Sequence, residues 1–326
     1  MIDFIKLQTQ SKKTKLESLI TSSVTVNAIG TYNYGTNELC YPIKANFQNM
    51  EVRLTSNYGI IKNSIHKYYN LKANQENQNF NDFTYLDFIL AVFSLQKDIG
   101  MLIDDFAITN LEFGFNLNTL FSPKNIIEQN VIFYEFNEAN QFDAFKGKGC
   151  YKQFNKSEFA LKVYDKGLQY SQSENIMRVE LKITDSRFLK KLGINVLSDL
   201  YYKDNLDKLF HKFIEIFDKL VIVDMFSDNV ITDLDKQMLD KGKNPSYWRE
   251  LSQNSSRTTL YNAKKQYKKL IEKLGYDSIK NDLKNAIVLK YQDLTRDSFV
   301  LKSIIDLSNK VEQNRDIICV EYIKPS

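Results

Sequence analysis

The chain is expected to fold as an α+β protein, with an antiparallel-sheet domain followed by a mostly helical C-terminal domain. Three observations carry that expectation. Short segments with an apolar residue at every second position crowd the first half, and a close pair of them occupies 159–183. From Asp185 onward the apolar residues recur at helical spacing instead. Strands and helices also follow one another irregularly, which argues for an antiparallel sheet rather than a repeated strand–helix–strand unit.

Taken in order, strands are expected at Ile2 to Leu7, Val24 to Ile29, Met50 to Thr55, Ile108 to Leu117 and Val131 to Phe136. The paired segments, Phe159 to Gly167 and Asn175 to Ile183, form a hairpin. Ser56 to Asn70 and Thr84 to Leu95 read as helices, the second with an apolar stripe through Leu86, Ile89, Leu90 and Phe93. The polar stretch Leu71 to Asp82 between them reads as a loop. Further on, Leu206, Leu209, Phe210, Phe213, Ile214, Phe217 and Leu220 mark one helix. Ser256 to Leu274 marks another, stopped by Gly275. Leu283 to Tyr291 and Phe299 to Leu307 are shorter helical candidates, and Ile317 to Ile323 returns as a strand. With 326 residues, two domains are expected, at 1–225 and 226–326.

Composition bounds the function without naming it. A hydrophobic content of 43% and an aromatic content of 13% fit a folded globular chain. A net charge of +4 does not establish nucleic-acid binding, but the lysines are clustered, and local patches matter more than the total. Cys40, Cys150 and Cys319 are widely spaced and match no metal-ligand pattern, as for thiols in a reducing compartment. No stretch approaches the ~20 apolar residues of a membrane span, so a soluble, cytoplasmic protein without membrane partners is expected. His66 and His211 are isolated from each other, which removes paired-histidine metal sites and most zinc sites.

The hairpin carries the chemistry. Side chains alternate along a strand, so Leu161 and Val163 pack on one face while Lys162, Tyr164 and Lys166 face the other way. In the second strand Met177, Val179, Leu181 and Ile183 pack, leaving Arg178, Glu180 and Lys182 opposite. By the same rule Glu51 and Glu112 leave the core face of their strands. If these strands are neighbours, carboxylates converge near a tyrosine. Oxygen-only clusters suit Mg²⁺ or Mn²⁺. A tyrosine hydroxyl, with an ordinary pKa near 10, attacks phosphorus poorly unless a cation stabilises the phenolate. Glu112 and Glu180 are therefore candidate metal ligands, Tyr164 a candidate nucleophile and Lys166 its supporting cation. Attack by Tyr164 on a DNA phosphodiester would leave a 5′-phosphotyrosine and a free 3′-hydroxyl. Such a transesterification needs no nucleotide cofactor, and the chain has no Walker-type glycine-rich loop. The alternative for each glutamate is half of a cross-strand ion pair with a neighbouring Arg or Lys.

These residues also carry a resemblance. The segments Leu161-Lys-Val-Tyr-Asp-Lys166 and Met177-Arg-Val-Glu-Leu-Lys182, followed by Phe188-Leu-Lys-Lys-Leu-Gly193, resemble the nicking-tyrosine strand, the Arg-aromatic-Glu strand and the following turn of the gene II/X family. That family comprises phage and plasmid replication proteins, the rolling-circle initiators. The opening Met1-Ile-Asp3, the strand Met50-Glu-Val-Arg-Leu54 and the helix Lys264 to Ser278 are similar to family segments, in order. Asn110-Leu-Glu-Phe113 resembles an Arg-Ile-Asp strand, with Glu112 in place of the aspartate and Asn110 in place of the arginine. The broader plasmid replication-initiation factor family shares the Tyr-Asp-Lys and Arg-X-Glu strands. The resemblance implies nicking of one strand at an origin by Tyr164 with Mg²⁺ or Mn²⁺, and later rejoining. It implies a metal role for Glu180 and Glu112, with Glu51 and His66 as further candidates. It also implies origin DNA, single- and double-stranded, together with host helicase and polymerase, as partners.

For DNA contact the candidates are Arg178 and Lys162 on the hairpin, and Arg257, Lys264, Lys265 and Lys268 on the basic helix. Lys146-Gly-Lys-Gly149 is a candidate basic lip for a single strand, and His211 reads as a helix-surface residue. Two other classes remain open. A non-catalytic DNA-binding regulator of a phage or plasmid would keep the basic helix without needing Tyr164. A structural or host-interaction protein would use the polar sheet face for ion pairs alone.

Overall fold

The computed structural model describes residues 1–22, 28–140, 149–225 and 231–297. Within them the alternating segments join edge to edge. The strands of the main sheet are β1 (Ile2–Thr9), β2 (Ala28–Asn33), β3 (Glu38–Phe47), β4 (Met50–Leu54), β5 (Gly59–Ser64) and β6 (Ala107–Asn118), then β8 (Tyr151–Asn155), β9 (Phe159–Asp165) and β10 (Ile176–Ile183). Their order is β2-β3-β4-β5-β1-β6-β10-β9-β8, and each neighbouring pair is antiparallel. β7 (Val131–Tyr134) pairs instead with β11 (Leu220–Ile222) in a separate ribbon.

One face of the sheet is apolar and covered by helices. On β6 the buried side chains Leu111, Phe113, Phe115 and Leu117 alternate with Glu112, Gly114 and Asn116, as the period-2 pattern requires. Phe113 and Phe115 meet Phe213 of α7 (Lys203–Phe217) edge-on, with ring centroids 5.7 and 5.3 Å apart. Phe210, one turn earlier, stacks on Tyr291 of α11 (Ser278–Leu294) at 3.8 Å. Each such aromatic pair contributes ~0.5–1.5 kcal/mol beyond its burial. Also in this core are the buried faces of α1 (Lys13–Ser22), α2 (Ile65–Asn74) and α3 (Tyr85–Ile99).

A second buried cluster forms behind the β7–β11 ribbon. Phe133, Phe136, Val221 and Val223 meet Leu239 of α8 (Asp233–Lys243), Trp248 of α9 (Pro245–Asn254), and Tyr267 and Ile271 of α10 (Arg257–Leu274). The two clusters do not coincide with the expected 225/226 cut. The ribbon is shared, with Phe133 and Val221 in the second cluster and Val131, Tyr134, Leu220 and Ile222 in the first, and Leu283, Ile287 and Tyr291 of α11 return to the first.

The described elements differ from expectation at identifiable places. Ser56 to Asn70 is not one helix: Gly59–Ser64 is strand β5, and α2 begins only where Ser64 caps it, its hydroxyl accepting from Lys67 N. α3 begins at its Thr84 cap as expected, but its buried face runs through Tyr85, Phe88, Ile89, Val92 and Leu95, and Leu90 and Phe93 are exposed. Leu220 opens β11 rather than closing α7. The Ser256 cap and the Gly275 stop, at φ +69°, bound α10 as the sequence indicated. Strands β3, β5, β8 and β11 are not among the expected strands. The first residues of the segment Val24 to Ile29, together with Lys146-Gly-Lys-Gly149 up to its final glycine, Phe299 to Leu307, Ile317 to Ile323 and Cys319, lie outside the described residues.

Gly114 fixes how closely β6 and β10 approach on the polar face. A Cβ built there would lie 2.4 Å from Val179 O and 2.7 Å from Glu180 Cα, both backbone atoms with no free torsion to yield. Gly114→Ala is therefore expected to lower unfolding stability by ~1–3 kcal/mol or more. Urea unfolding measures it, and an unchanged midpoint would show that the two strands separate freely.

Candidate active site

On the face away from the helices, the strand register sets polar side chains in rows. Asn116, Arg178, Tyr164 and Tyr151 lie across β6, β10, β9 and β8 in one row, and Gly114, Glu180, Lys162 and Gln153 in the next. Glu112 pairs across with Lys182, one step diagonal from Glu180. The absent side chain at Gly114 leaves room beside Glu180. Of these, Glu112, Tyr151, Lys162, Tyr164 and Glu180 line a cleft of about 290 Å³ together with Asp3, Ser64, Lys67, Asn79, Lys166, Gln169 and Tyr170.

Asp3 comes from β1. A register irregularity between Ile2 and Ile5 breaks strict alternation there, and Asp3 turns into the cleft instead of following Ile5 and Leu7 into the core. Oxygen atoms of Asp3, Glu112 and Glu180 all lie within 4.8 Å of one another. The Ser64 hydroxyl donates to Asp3 Oδ1, and Asn79 Nδ2 donates to Asp3 Oδ2 at 2.5 Å. Asn79 Oδ1 then accepts from Lys166 Nζ at 2.7 Å and from the Tyr170 hydroxyl at 2.5 Å. One buried amide thus joins the acidic end of the cleft to its basic end.

Strand β9 ends at Asp165, whose carboxylate caps the short helix α5 (Lys166–Gln169) by accepting from Leu168 N at 2.8 Å. Lys166 therefore reaches the cleft from the first turn of a helix rather than from an extended strand. Its ammonium stands 5.5 Å from the Tyr164 ring centre and 5.0 Å from that of Tyr170. The Tyr164 hydroxyl lies 3.5 Å from Glu180 Oε2.

Charge is concentrated here at very low exposure. Arg178 Nε donates to Glu180 Oε2 at 2.7 Å, its Nη1 donates to Asn116 Oδ1 at 2.9 Å, and its Nη2 lies 3.6 Å from Asp3 Oδ2. Lys162 Nζ donates to Glu112 at 2.8 Å and to Glu180 at 2.9 Å. Burial alone would raise the Glu180 carboxyl, but the charges of Lys162 and Arg178 outweigh it and hold Glu180 below the ordinary range. Burial likewise opposes ionisation of Asp3, and Arg178 and Lys166 overcome it. Glu112 has less support: burial and then the Glu180 charge push it up to about 7. Burial, then Glu180, lifts the Tyr164 hydroxyl well above its ordinary value. Burial, helped by Arg178, brings the Lys166 ammonium down to about 8.

The structure brings Tyr164, Lys166, Glu112, Glu180, Lys162 and Arg178 together. It does not bring Glu51, which sits on β4 with β5 and β1 between it and β6, and which pairs across the ladder with Lys62 at 3.2 Å. His66 is buried and is not part of the cleft lining. Its ring stacks on Phe83 at 4.5 Å, and its Nε2 is 2.8 Å from Asn81 Oδ1. Arg178, expected at a DNA phosphate, is 2% exposed and committed to the carboxylates. Lys162, also expected on DNA, is held by Glu112 and Glu180. On α10, Arg257 and Lys265 are exposed, whereas Lys264 and Lys268 are half-buried, with their ammonium groups 5.4 and 5.8 Å from the Phe136 ring centre. His211 is exposed on α7, its Nδ1 2.7 Å from Asp207 O.

Asp3, Ser64, Asn79 and Tyr151 were not singled out from the sequence. In the sequence Asp3 stands out only within the opening tripeptide, and Asn79 lies inside the polar stretch Leu71 to Asp82. Cys40 and Cys150 are both free thiols. Among the described residues no helix is long and apolar enough to cross a membrane.

No protein-family model and no curated protein matches the chain. Among solved structures, a rolling circle replication initiator protein from Geobacillus stearothermophilus is similar over 72% of this chain and 89% of its own, at 11% identity and a TM-score of 0.39. At those values the likeness carries no weight for fold or function.

The buried imidazole gives the site's surroundings a pH signature. Burial lowers the His66 pKa to about 3. Below its ordinary value near 6.5 the unfolded chain takes up a proton that the folded chain refuses. The stability this contributes is intact above pH ~6.5 and is lost as the pH falls toward 3. Between pH 6 and 4 the wild type should lose ~1.4 kcal/mol per pH unit more than His66→Gln. Denaturant titrations at several pH values measure this, and parallel curves would mean that the ring is open to solvent.

Proposed function

We propose that the protein is a DNA-nicking replication initiator that cuts one strand through Tyr164 with a divalent cation. The observation that carries this reading is a tyrosine hydroxyl 3.5 Å from a carboxylate of a three-carboxylate cluster, inside one cleft. The residues fit a hard cation: the candidate ligand atoms are carboxylate oxygens only, and one from each of Asp3, Glu112 and Glu180 lies within 4.8 Å of the others. Asp3, Glu112 and Glu180 would hold Mg²⁺ or Mn²⁺. When bound, the ion would polarise the scissile phosphate and stabilise charge on the attacking oxygen.

The chain's own groups supply the rest. Burial and Glu180 keep Tyr164 protonated at rest, which protects the cleft from idle phenolate chemistry. During attack the Tyr164 oxygen bonds to phosphorus and its proton passes to solvent, while the bond from phosphorus to the 3′-oxygen breaks and that oxygen takes a proton from solvent. A 5′-phosphotyrosine and a 3′-hydroxyl result, and the reverse reaction rejoins a strand. Lys166, fixed by Asn79, places positive charge beside the ring. Arg257 and Lys265 on α10 would meet origin phosphates, and host helicase and polymerase would follow the nick. A non-catalytic DNA-binding regulator is the second reading, favoured by the Lys162 ammonium already neutralising the cluster.

Incubation with supercoiled plasmid carrying the cognate origin and Mg²⁺ separates them. Wild type is expected to give open circles with protein covalently attached. Tyr164→Phe should lose at least ~10²-fold in nicking, and Glu180→Gln a similar amount, as for removal of a group that acts in the transition state. Equal nicking by Tyr164→Phe would remove the tyrosine from the reaction. DNA binding with no cleavage would favour the regulator.

A further inference from the structure

The carboxylate cluster already holds an internal cation. Lys162 reaches from β9 between Glu112 and Glu180, 2.8 and 2.9 Å from their oxygens. With Arg178 on the other side, three carboxylates face two closely paired positive groups, and the more exposed Lys182 Nζ lies 3.9 Å from Glu112. A divalent ion added to that set would make it net positive and would stand a few ångströms from an ammonium, a strongly repulsive arrangement at low dielectric. One of the two resident cations must yield.

They differ in freedom. The Arg178 side chain is 3% exposed and contacts Glu180, Asn116 and Asp3, so moving it would strip three partners at once. The Lys162 side chain is 14% exposed, lies on β9 directly beside the edge strand β8, and ends a flexible four-carbon stem. Its departure would uncover an oxygen of both Glu112 and Glu180.

We propose that Lys162 is the exchangeable counter-ion of the metal site: its ammonium neutralises Glu112 and Glu180 in the metal-free protein and swings out when a divalent cation takes its place. This rests on the reading of the cluster as a metal site, but not on the tyrosine chemistry. Exchange keeps the cleft folded and balanced without metal, and it weakens metal binding by the free energy needed to displace the lysine.

The test measures Mn²⁺ binding to the full chain by calorimetry without DNA, for wild type, Lys162→Met and Lys162→Gln. The glutamine variant stays polar enough to bond the carboxylates if the methionine variant does not fold. Either neutral variant is expected to bind Mn²⁺ about tenfold more tightly or better than wild type. Its metal-free melting temperature should fall below the wild-type value, and Mn²⁺ should raise it by more than it raises the wild type. Folded neutral variants that bind Mn²⁺ no more tightly than wild type overturn the exchange. So does a complete lack of Mn²⁺ uptake by all three proteins. Plasmid nicking by wild type distinguishes the two readings. If wild type nicks and the variants bind Mn²⁺ no tighter, only the exchange fails. If the variants bind tighter while Tyr164→Phe still nicks, only the tyrosine assignment fails.

Discussion

Two opposite charges buried side by side on one central strand constrain everything around them. Arg178 and Glu180 are 2% and 1% exposed, on a strand whose neighbours cover both of its edges. Burying an ion costs several kcal/mol unless geometry and additional hydrogen bonds return it, and deleting one partner of such a pair costs ~3–5 kcal/mol. The surrounding structure supplies those returns from separate parts of the chain: Asn116 from β6, Lys162 from β9, and Asp3 from the irregular start of β1. Asp3 in turn is held by Ser64 and Asn79. The strand order, the break in alternation near Asp3 and the buried loop around Asn79 are therefore parts of one electrostatic solution.

That solution explains why a tyrosine is placed where its own ionisation is hindered. Tyr164 sits in the same row as Arg178, with Glu180 close to its hydroxyl, so its proton is firmly held at rest. On the proposed reading, ionisation of the hydroxyl is eased only when a cation enters the cleft. Lys166 lies near the ring but is fixed by an amide rather than by a carboxylate, which leaves its charge available to the cleft. The acidic and basic ends are bridged by Asn79, so a change at either end reaches the other through one side chain.

Much of this was legible from periodicity. The alternation in 159–183 located β9 and β10 and put Tyr164 and Glu180 on a common face, and the same rule put Glu112 there. Ser256 and Gly275 bounded α10 because caps are local chemistry. What failed depended on partners distant in sequence. Alternation assigned Glu51 to the polar face correctly, but it carries no strand order, and two intervening strands take Glu51 out of the cleft. Arg178 looked like a phosphate contact because an outward arginine on an isolated strand is solvated, whereas the assembled cleft buries it. Asp3 escaped because a local irregularity reverses its face. The α3 stripe was misplaced because nearly every position of that helix is apolar, so spacing alone could not choose the buried side.

The central claim is that Tyr164 is the atom-bearing nucleophile of this cleft, and mapping the covalent adduct tests it most directly. The full chain would be incubated with a single-stranded origin oligonucleotide and Mn²⁺, digested with nuclease and trypsin, and its peptides sequenced by mass spectrometry. Tyr164 falls in the tryptic peptide 163–166, and the neighbouring Tyr170 in 167–178, so the two are separable. The account predicts a nucleotide phosphate on Tyr164. An adduct on Tyr170 or Tyr151, or none from a protein that binds Mn²⁺ and the oligonucleotide, would contradict it.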